Sequence, residues 1–420
     1  MSPARFNMVA AAAVVAVLAL PLRANAYSVL AHQAVVDGVW EAGIAPLLRQ
    51  QFSGMTPERL RRARAFAYGG SVVQDLGYYP FGNRLFTDLT HYVRSGDFVE
   101  ALIREARSPD EYAFALGALA HYNADTSGHA IAVNRAVALM YPKLHAKYGD
   151  QVTYAESPKR HVMVEFAFDV VHTAGGAYLP EAYQDFVGFE VAEEVLARAF
   201  SMTYGLELKE LFTDLDLAIG TYRYAIGTLI PEVTRVAWRE KREQIEKLTP
   251  GIQRDAFVYS LTRRKYEERF GNRYRRPGVL TRFLTVLFKL VPKIGPLRPL
   301  AFQPPPPEAE RLFAESFTTV RERYRAALAV LIAGRRLDLQ NADFDTGKAS
   351  RFGEYPLADD TYGKLLEKLA SRRFARTPVA LRHEIERFYA GFDRRTVSSR
   401  KEQRQAKKVI EQLAMLRAEP

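Results

Sequence analysis

The 420-residue chain contains no cysteine, so disulfides are excluded and stability has to come from a packed core, which a chain of this length can build. No stretch of useful length alternates apolar and polar residues, which excludes a sheet protein and leaves helical periodicity as the organising pattern. No internal repeat is present. The apolar runs at residues 8–20 and 279–291 fall short of the roughly 20 residues that a bilayer span requires. Histidine is scarce too, eight in all, yet His32, His91, His121, His129, His145, His161 and His172 crowd into the first half of the chain and only His383 lies outside. Scattered surface histidines are not expected to cluster in this way.

The first 26 residues read as a processing segment. Arg5 supplies a positive start, residues 8–20 an apolar middle, and Ala24-Asn25-Ala26 a small-x-small cleavage site. Export to the periplasm or the medium is the expectation, with the mature chain beginning at Tyr27. Cleavage there frees an α-amino group five residues before His32, and an amine with its own carbonyl can chelate a metal that a nearby histidine helps to hold. After His32, the apolar positions Val35, Val36, Val39, Trp40, Ile44, Leu47 and Leu48 recur at roughly helical spacing. A polar residue at the start of that helix is the plainer reading of His32 taken alone.

The stretch His121-Tyr-Asn-Ala-Asp125-Thr-Ser-Gly-His129 follows an apolar run without proline. Its three ligand-type side chains fall at i, i+4 and i+8, drifting only about 80° around a helix at about 100° per residue. His161 and Glu165 repeat the i, i+4 spacing. Imidazole and carboxylate converging from helices suit zinc; either pair alone is more often a polar surface. Between residues 68 and 92, Gly69, Gly70, Gly77, Pro80 and Gly82 read as breakers of regular structure around Asp75, leading to a helix that ends near His91. Asp75 is a turn former, a metal ligand or a base. Asp88, three residues before His91, is placed to orient its imidazole.

The ordered set His32, Asp75, His91, His121-x-x-Ala-Asp125-x-Ser-x-His129 and His161-x-x-x-Glu165 resembles the zinc-dependent phospholipase C family. That family includes bacterial phospholipases C and the catalytic domain of glycosylphosphatidylinositol phospholipase D, and shares its all-helical fold with zinc-dependent single-strand nucleases. The resemblance covers roughly residues 27–175. It implies an all-α, multi-helical bundle and three zinc ions. His91, His121 and Asp125 would hold one, with Asp75 as a further ligand or as general base. The amine and carbonyl of Tyr27 with His32 would hold a second, sharing Asp125 as a bridge, and His129, His161 and Glu165 the third. The family's usual first residue is tryptophan, where this chain has Tyr27. The bacterial phospholipases also place the second histidine of the long motif farther from the aspartate; the tighter spacing here is closer to the phospholipase D type and leaves the substrate open. His145 and His172 lie outside the motif, where structural roles are expected, and Tyr92 and Tyr122 read as core.

The remainder reads as helical. Residues 189–204 and 211–230 complete a catalytic helical domain spanning 27–240. Residues 241–307 form a basic segment and proline linker, within which residues 263–298 carry eleven Lys or Arg against two Glu, essentially the whole surplus charge of the mature chain. The apolar run 279–291 inside it has one narrow polar stripe, so it reads equally as a basic amphipathic helix on an anionic membrane surface or as a buried helix beside a solvated loop. Residues 308–420 form a helical C-terminal extension, in which 308–336 is one long helix, 341–348 a polar loop and 398–408 a charged tail that frays. Asp343, Asp345 and Gly347 resemble part of a calcium loop without its glutamate. Two activities follow: cleavage of phospholipid, with the basic segment at a membrane, or cleavage of single-stranded nucleic acid, with that segment along the phosphate backbone. Purely structural metals are a third reading. Head-group preference, C-type against D-type cleavage and oligomeric state are not written in the sequence.

Overall fold

The structure, a computed structural model, describes residues 29–79, 81–174, 189–224, 305–392 and 400–418, and isolated positions between 238 and 254. Tyr27, the processing segment and the basic segment 263–298 lie outside the described residues. The described chain is all-α, its only extended pairing being an isolated bridge between Ala342 and Ala349.

Local signals account for the helix starts. Thr56 and Ser108 each cap a helix by accepting a backbone N–H three residues on, with Pro57 and Pro109 in the first turn, where a missing N–H costs nothing. Asn83 accepts from Leu85 and Phe86 to open the helix that carries His91. The helices used below are α1 (Val29–Val39), α2 (Pro57–Val73), α3 (Arg84–Tyr92), α4 (Ser95–Glu105), α5 (Pro109–Gly128), α6 (Pro158–Ala174), α7 (Leu215–Tyr224) and α8 (Pro307–Ile332).

Helix α5 is the axis of the bundle: every residue from Glu111 to Gly128 is buried, as expected for a helix surrounded by others. Helix α8 crosses it, with Tyr324 donating to the Leu116 carbonyl at 2.8 Å and Arg323 to Ser127 at 2.9 Å. One hydrophobic core joins residues of α1 through α7 to α8 and the C-terminal helices.

Gly69 and Gly70 do not break structure as the sequence suggested; both lie inside α2. Their work is close approach. A Cβ on Gly70 would stand 1.8 Å from the Phe114 carbonyl oxygen, and one on Gly117 would stand 1.9 Å from that of Ala67, so α2 and α5 cross backbone against backbone. The polar loop that begins at Asn341 is largely buried. Asp343, Phe344, Asp345 and Ser350 are buried, because the stretch is tied by Ser95 to the Ala342 carbonyl at 2.6 Å, by Ser350 to the Tyr92 carbonyl at 2.8 Å and by the Phe344 N–H to the His91 carbonyl at 3.2 Å. The charged tail continues as a helix, Arg400–Ala418, with Val409, Leu413 and Leu416 in the core. Among the described residues no helix is long and apolar enough to cross a membrane.

Candidate metal centre

Helix α5 delivers His121 and Asp125 to one point, and His129 follows at its C-terminal end, where the helix widens into a π-type turn over His129–Val133. Such turns are frequent at functional sites. Helix α1 brings His32, α3 brings His91, the turn Gln74–Tyr78 brings Asp75, and α6 brings His161 and Glu165. All eight of these side chains are buried.

Asp125 stands at the centre. Its Oδ1 lies 3.4 Å from His32 Nε2, while its Oδ2 lies 3.5 Å from His91 Nε2 and 3.2 Å from His121 Nε2. Asp75 Oδ1 lies 3.4 Å from His91 Nε2 and 4.0 Å from His121 Nε2. Two sets of ligand atoms therefore converge closely enough to hold an ion: His32, His121 and Asp125, and Asp75, His91 and His121. The rings of His32 and His121 stack at 4.2 Å.

Backbone carbonyls select the ring nitrogens. His121 Nδ1 reaches the Ser71 carbonyl at 2.9 Å, a contact that the close α2–α5 crossing permits; His91 Nδ1 reaches that of Thr87 at 2.9 Å, and His161 Nε2 that of Val152 at 2.9 Å. A carbonyl only accepts, so each contact fixes an N–H there and turns the other ring nitrogen to the carboxylates, the arrangement found behind metal-ligating histidines. His161 Nδ1 thus faces Glu165 Oε1 at 3.1 Å, and something positive, a proton or a metal, has to lie between them. His121 Nε2, both Asp125 oxygens, both His129 ring nitrogens and Glu165 Oε2 are buried and make no hydrogen bond within the protein. Left so, they would carry a large desolvation cost. The residues of the two converging sets fit a metal; among the described residues, His129, His161 and Glu165 do not form a third set as close.

Without one, the centre is electrostatically divided. Burial lowers the pKa of His32 to about 4, with His121 adding to the shift; burial alone takes His161 to about 4 and pushes His129 well down. Burial opposes the charged form of His91 too, but the close approach and attraction of the Asp125 and Asp75 carboxylates outweigh it and lift the ring to about 10. Asp125 is held well below the usual carboxylate range, because attraction from His121 and His32 exceeds the cost of burial. Burial drives Glu165 well up, with Asp125 and Asp75 repelling its charge.

One expectation about neighbours fails. Asp88 does not orient His91; it pairs with Arg84 at 2.5 Å, and the guanidinium lies over the rings of Tyr78 and Tyr154. Tyr92 and Tyr122 are buried as expected, but each spends its hydroxyl on the C-terminal stretch: Tyr92 on Asp345 at 2.9 Å and Tyr122 on the Gln340 carbonyl at 2.8 Å. His145 is a surface residue bonded to Asp150 at 2.8 Å; the side chain of His172 lies outside the described residues.

Asp169, not singled out in the sequence, accepts the N–H groups of Leu30 and Ala31 on its two oxygens, each at 3.1 Å. It anchors the first turn of α1 beside His32. Its signal was available, since His161, Glu165 and Asp169 repeat the i, i+4, i+8 pattern of α5. Phe344, packed 4.8 Å from the His91 ring and 5.8 Å from that of His121, had no sequence signal.

A helical bundle whose helices converge on buried histidines and carboxylates, with ring tautomers set from behind, is that of a metal-dependent enzyme. Residues 31–214 match the family described as zinc dependent phospholipase C, a family of phospholipid-hydrolysing enzymes. Searches of curated proteins and of solved structures found no match.

Proposed function

We propose that the protein is an exported phosphodiesterase that hydrolyses phospholipids in phospholipase C fashion at a three-zinc site. The observation that carries this reading is the split of Asp125: one carboxylate oxygen faces His32 and the other faces His91 and His121, as a bridging ligand requires. One position would be held by His91, His121 and Asp125. The second would be held by His32, Asp125 and the amine and carbonyl of Tyr27, and the third by His129, His161 and Glu165. Zinc supplies a Lewis acid for phosphoryl oxygens and makes water acidic enough to attack phosphorus near neutral pH.

The chain's own contribution is placement and charge. Ser71, Thr87 and Val152 carbonyls fix the rings, and Asp169 holds the turn that precedes His32. Asp75, buried beside His91, is a further ligand or takes the proton from the attacking water. Phosphoryl transfer needs mainly such positioning and charge neutralisation. Residues 263–298 would bring the enzyme to anionic membranes.

The test is hydrolysis by purified mature protein of choline, ethanolamine and inositol phospholipids and of single-stranded DNA, with products resolved. Diacylglycerol with phosphorylated head group is expected. Phosphatidic acid would mean D-type cleavage, and cleavage of DNA alone would replace the lipid reading.

A further inference from the structure

The third proposed metal position has a neighbour that comes from beyond the family-matched segment. Asp345 is buried, and its Oδ1 lies 3.2 Å from Nδ1 of His129. Its Oδ2 accepts the hydroxyls of Tyr92, at 2.9 Å, and of Tyr355. Its backbone carbonyl accepts from Asn134 at 2.8 Å, so the residue is held at its backbone as well as at Oδ2. His129 differs from His91, His121 and His161 in that neither of its ring nitrogens is tied to a backbone carbonyl, and its Nε2 has no hydrogen-bond partner within the protein. The group facing its Nδ1 is Asp345, and its ring lies 5.5 Å from that of His161.

We propose that Asp345 is a positioning residue of the metal centre: its carboxylate takes the Nδ1–H of His129 and thereby directs Nε2 to the metal. This rests on the three-zinc reading. A carboxylate behind a ligating imidazole fixes the ring's tautomer and orientation and makes the ligand nitrogen more basic. The two tyrosines leave Oδ1 as the oxygen turned to the ring. The consequence is that a loop in the C-terminal region, outside residues 31–214, completes the centre.

Zinc alone is the probe. Full-length mature protein is stripped of metal and titrated with zinc against a chelator of known affinity, with elemental analysis giving the stoichiometry, for wild type, Asp345→Ala and Asp345→Asn. Wild type is expected to take three zincs. In Asp345→Ala one of the three should bind about 10–100-fold more weakly, the range found when such supporting groups are removed. Asp345→Asn keeps an acceptor oxygen and should recover part of that loss, whereas Asp345→Leu, which fills similar space without an acceptor, should not. Wild-type affinity at all three positions in Asp345→Ala overturns the inference alone, even if the metal-free variant melts at a lower temperature. Absence of a third zinc from wild type overturns the three-zinc reading together with it. If Asp345→Ala does not fold, the Tyr92→Phe, Tyr355→Phe double variant carries the test: a weaker third zinc supports the assignment and three unchanged affinities overturn it.

Discussion

Asp125→Ala should be the most damaging substitution in the protein. The carboxylate is fully buried and within 3.5 Å of Nε2 on His32, His91 and His121, so it belongs to two of the three proposed metal positions. At a thousandfold excess of free zinc over Kd, each bound ion stabilises the fold by about 4 kcal/mol. Removing a ligand common to two ions should therefore abolish roughly 8 kcal/mol of zinc-dependent stabilisation and leave the share of His129, His161 and Glu165. Charge stabilisation by metal is worth several kcal/mol in the transition state, so at about 1.4 kcal/mol per tenfold the rate should fall at least about a thousandfold. Elemental analysis, calorimetry with and without chelator, and hydrolysis of a phosphatidylcholine read the three effects. Asp125→Asn, which keeps the shape and removes the charge, should behave almost as badly. An Asp125→Ala protein that retains its full zinc and activity within tenfold of wild type would refute the bridging role.

Asp169→Ala orphans the Leu30 and Ala31 N–H groups; it should cost roughly 2–6 kcal/mol of stability at about 1–3 kcal/mol per buried donor and weaken the zinc next to His32, whereas normal denaturation midpoints and zinc binding would show that α1 needs no such anchor. Gly70→Ala puts a methyl 1.8 Å from the Phe114 carbonyl oxygen; it should cost about 3 kcal/mol or more, at the upper end for overpacking, and lower zinc affinity by moving Ser71 from His121, which a urea titration and a zinc titration together check. In chelator-treated protein the imidazolium of His91, at about 10 in the fold against 6.5 unfolded, contributes stability that is complete below pH 6.5 and lost as pH rises towards 10. The loss should be about 1.4 kcal/mol per pH unit, with the raised Glu165 acting in the same direction. Denaturant midpoints that stay flat from pH 7 to pH 9 without metal would contradict this.

The fold class and much of the metal centre could be read before any coordinates, for a local reason. Helical periodicity over the apolar runs, and the i, i+4, i+8 placement of His121, Asp125 and His129, depend only on the rotation per residue, which short segments carry in themselves. Other decisions depend on which residues meet across the bundle. Gly69 and Gly70 look like breakers in a string of letters, and only the packing shows them as points of close backbone approach, Gly70 to α5 and Gly69 to Glu190. Asp88 shares a face with His91, yet Arg84 claims it. Asp345 sits in a polar-looking stretch far along the chain from His129. It comes beside His129 because Ser95 holds that stretch by its hydroxyl and Tyr92 and His91 hold it by their backbone carbonyls, contacts that no spacing within one segment encodes. The sequence by itself determined the kinds of ligand and the helices that carry them. Tertiary structure decided how Asp125 divides its oxygens, which ring nitrogens face inward and which distant carboxylates support them, because burial and hydrogen bonding at those points are properties of converging elements and not of any one of them.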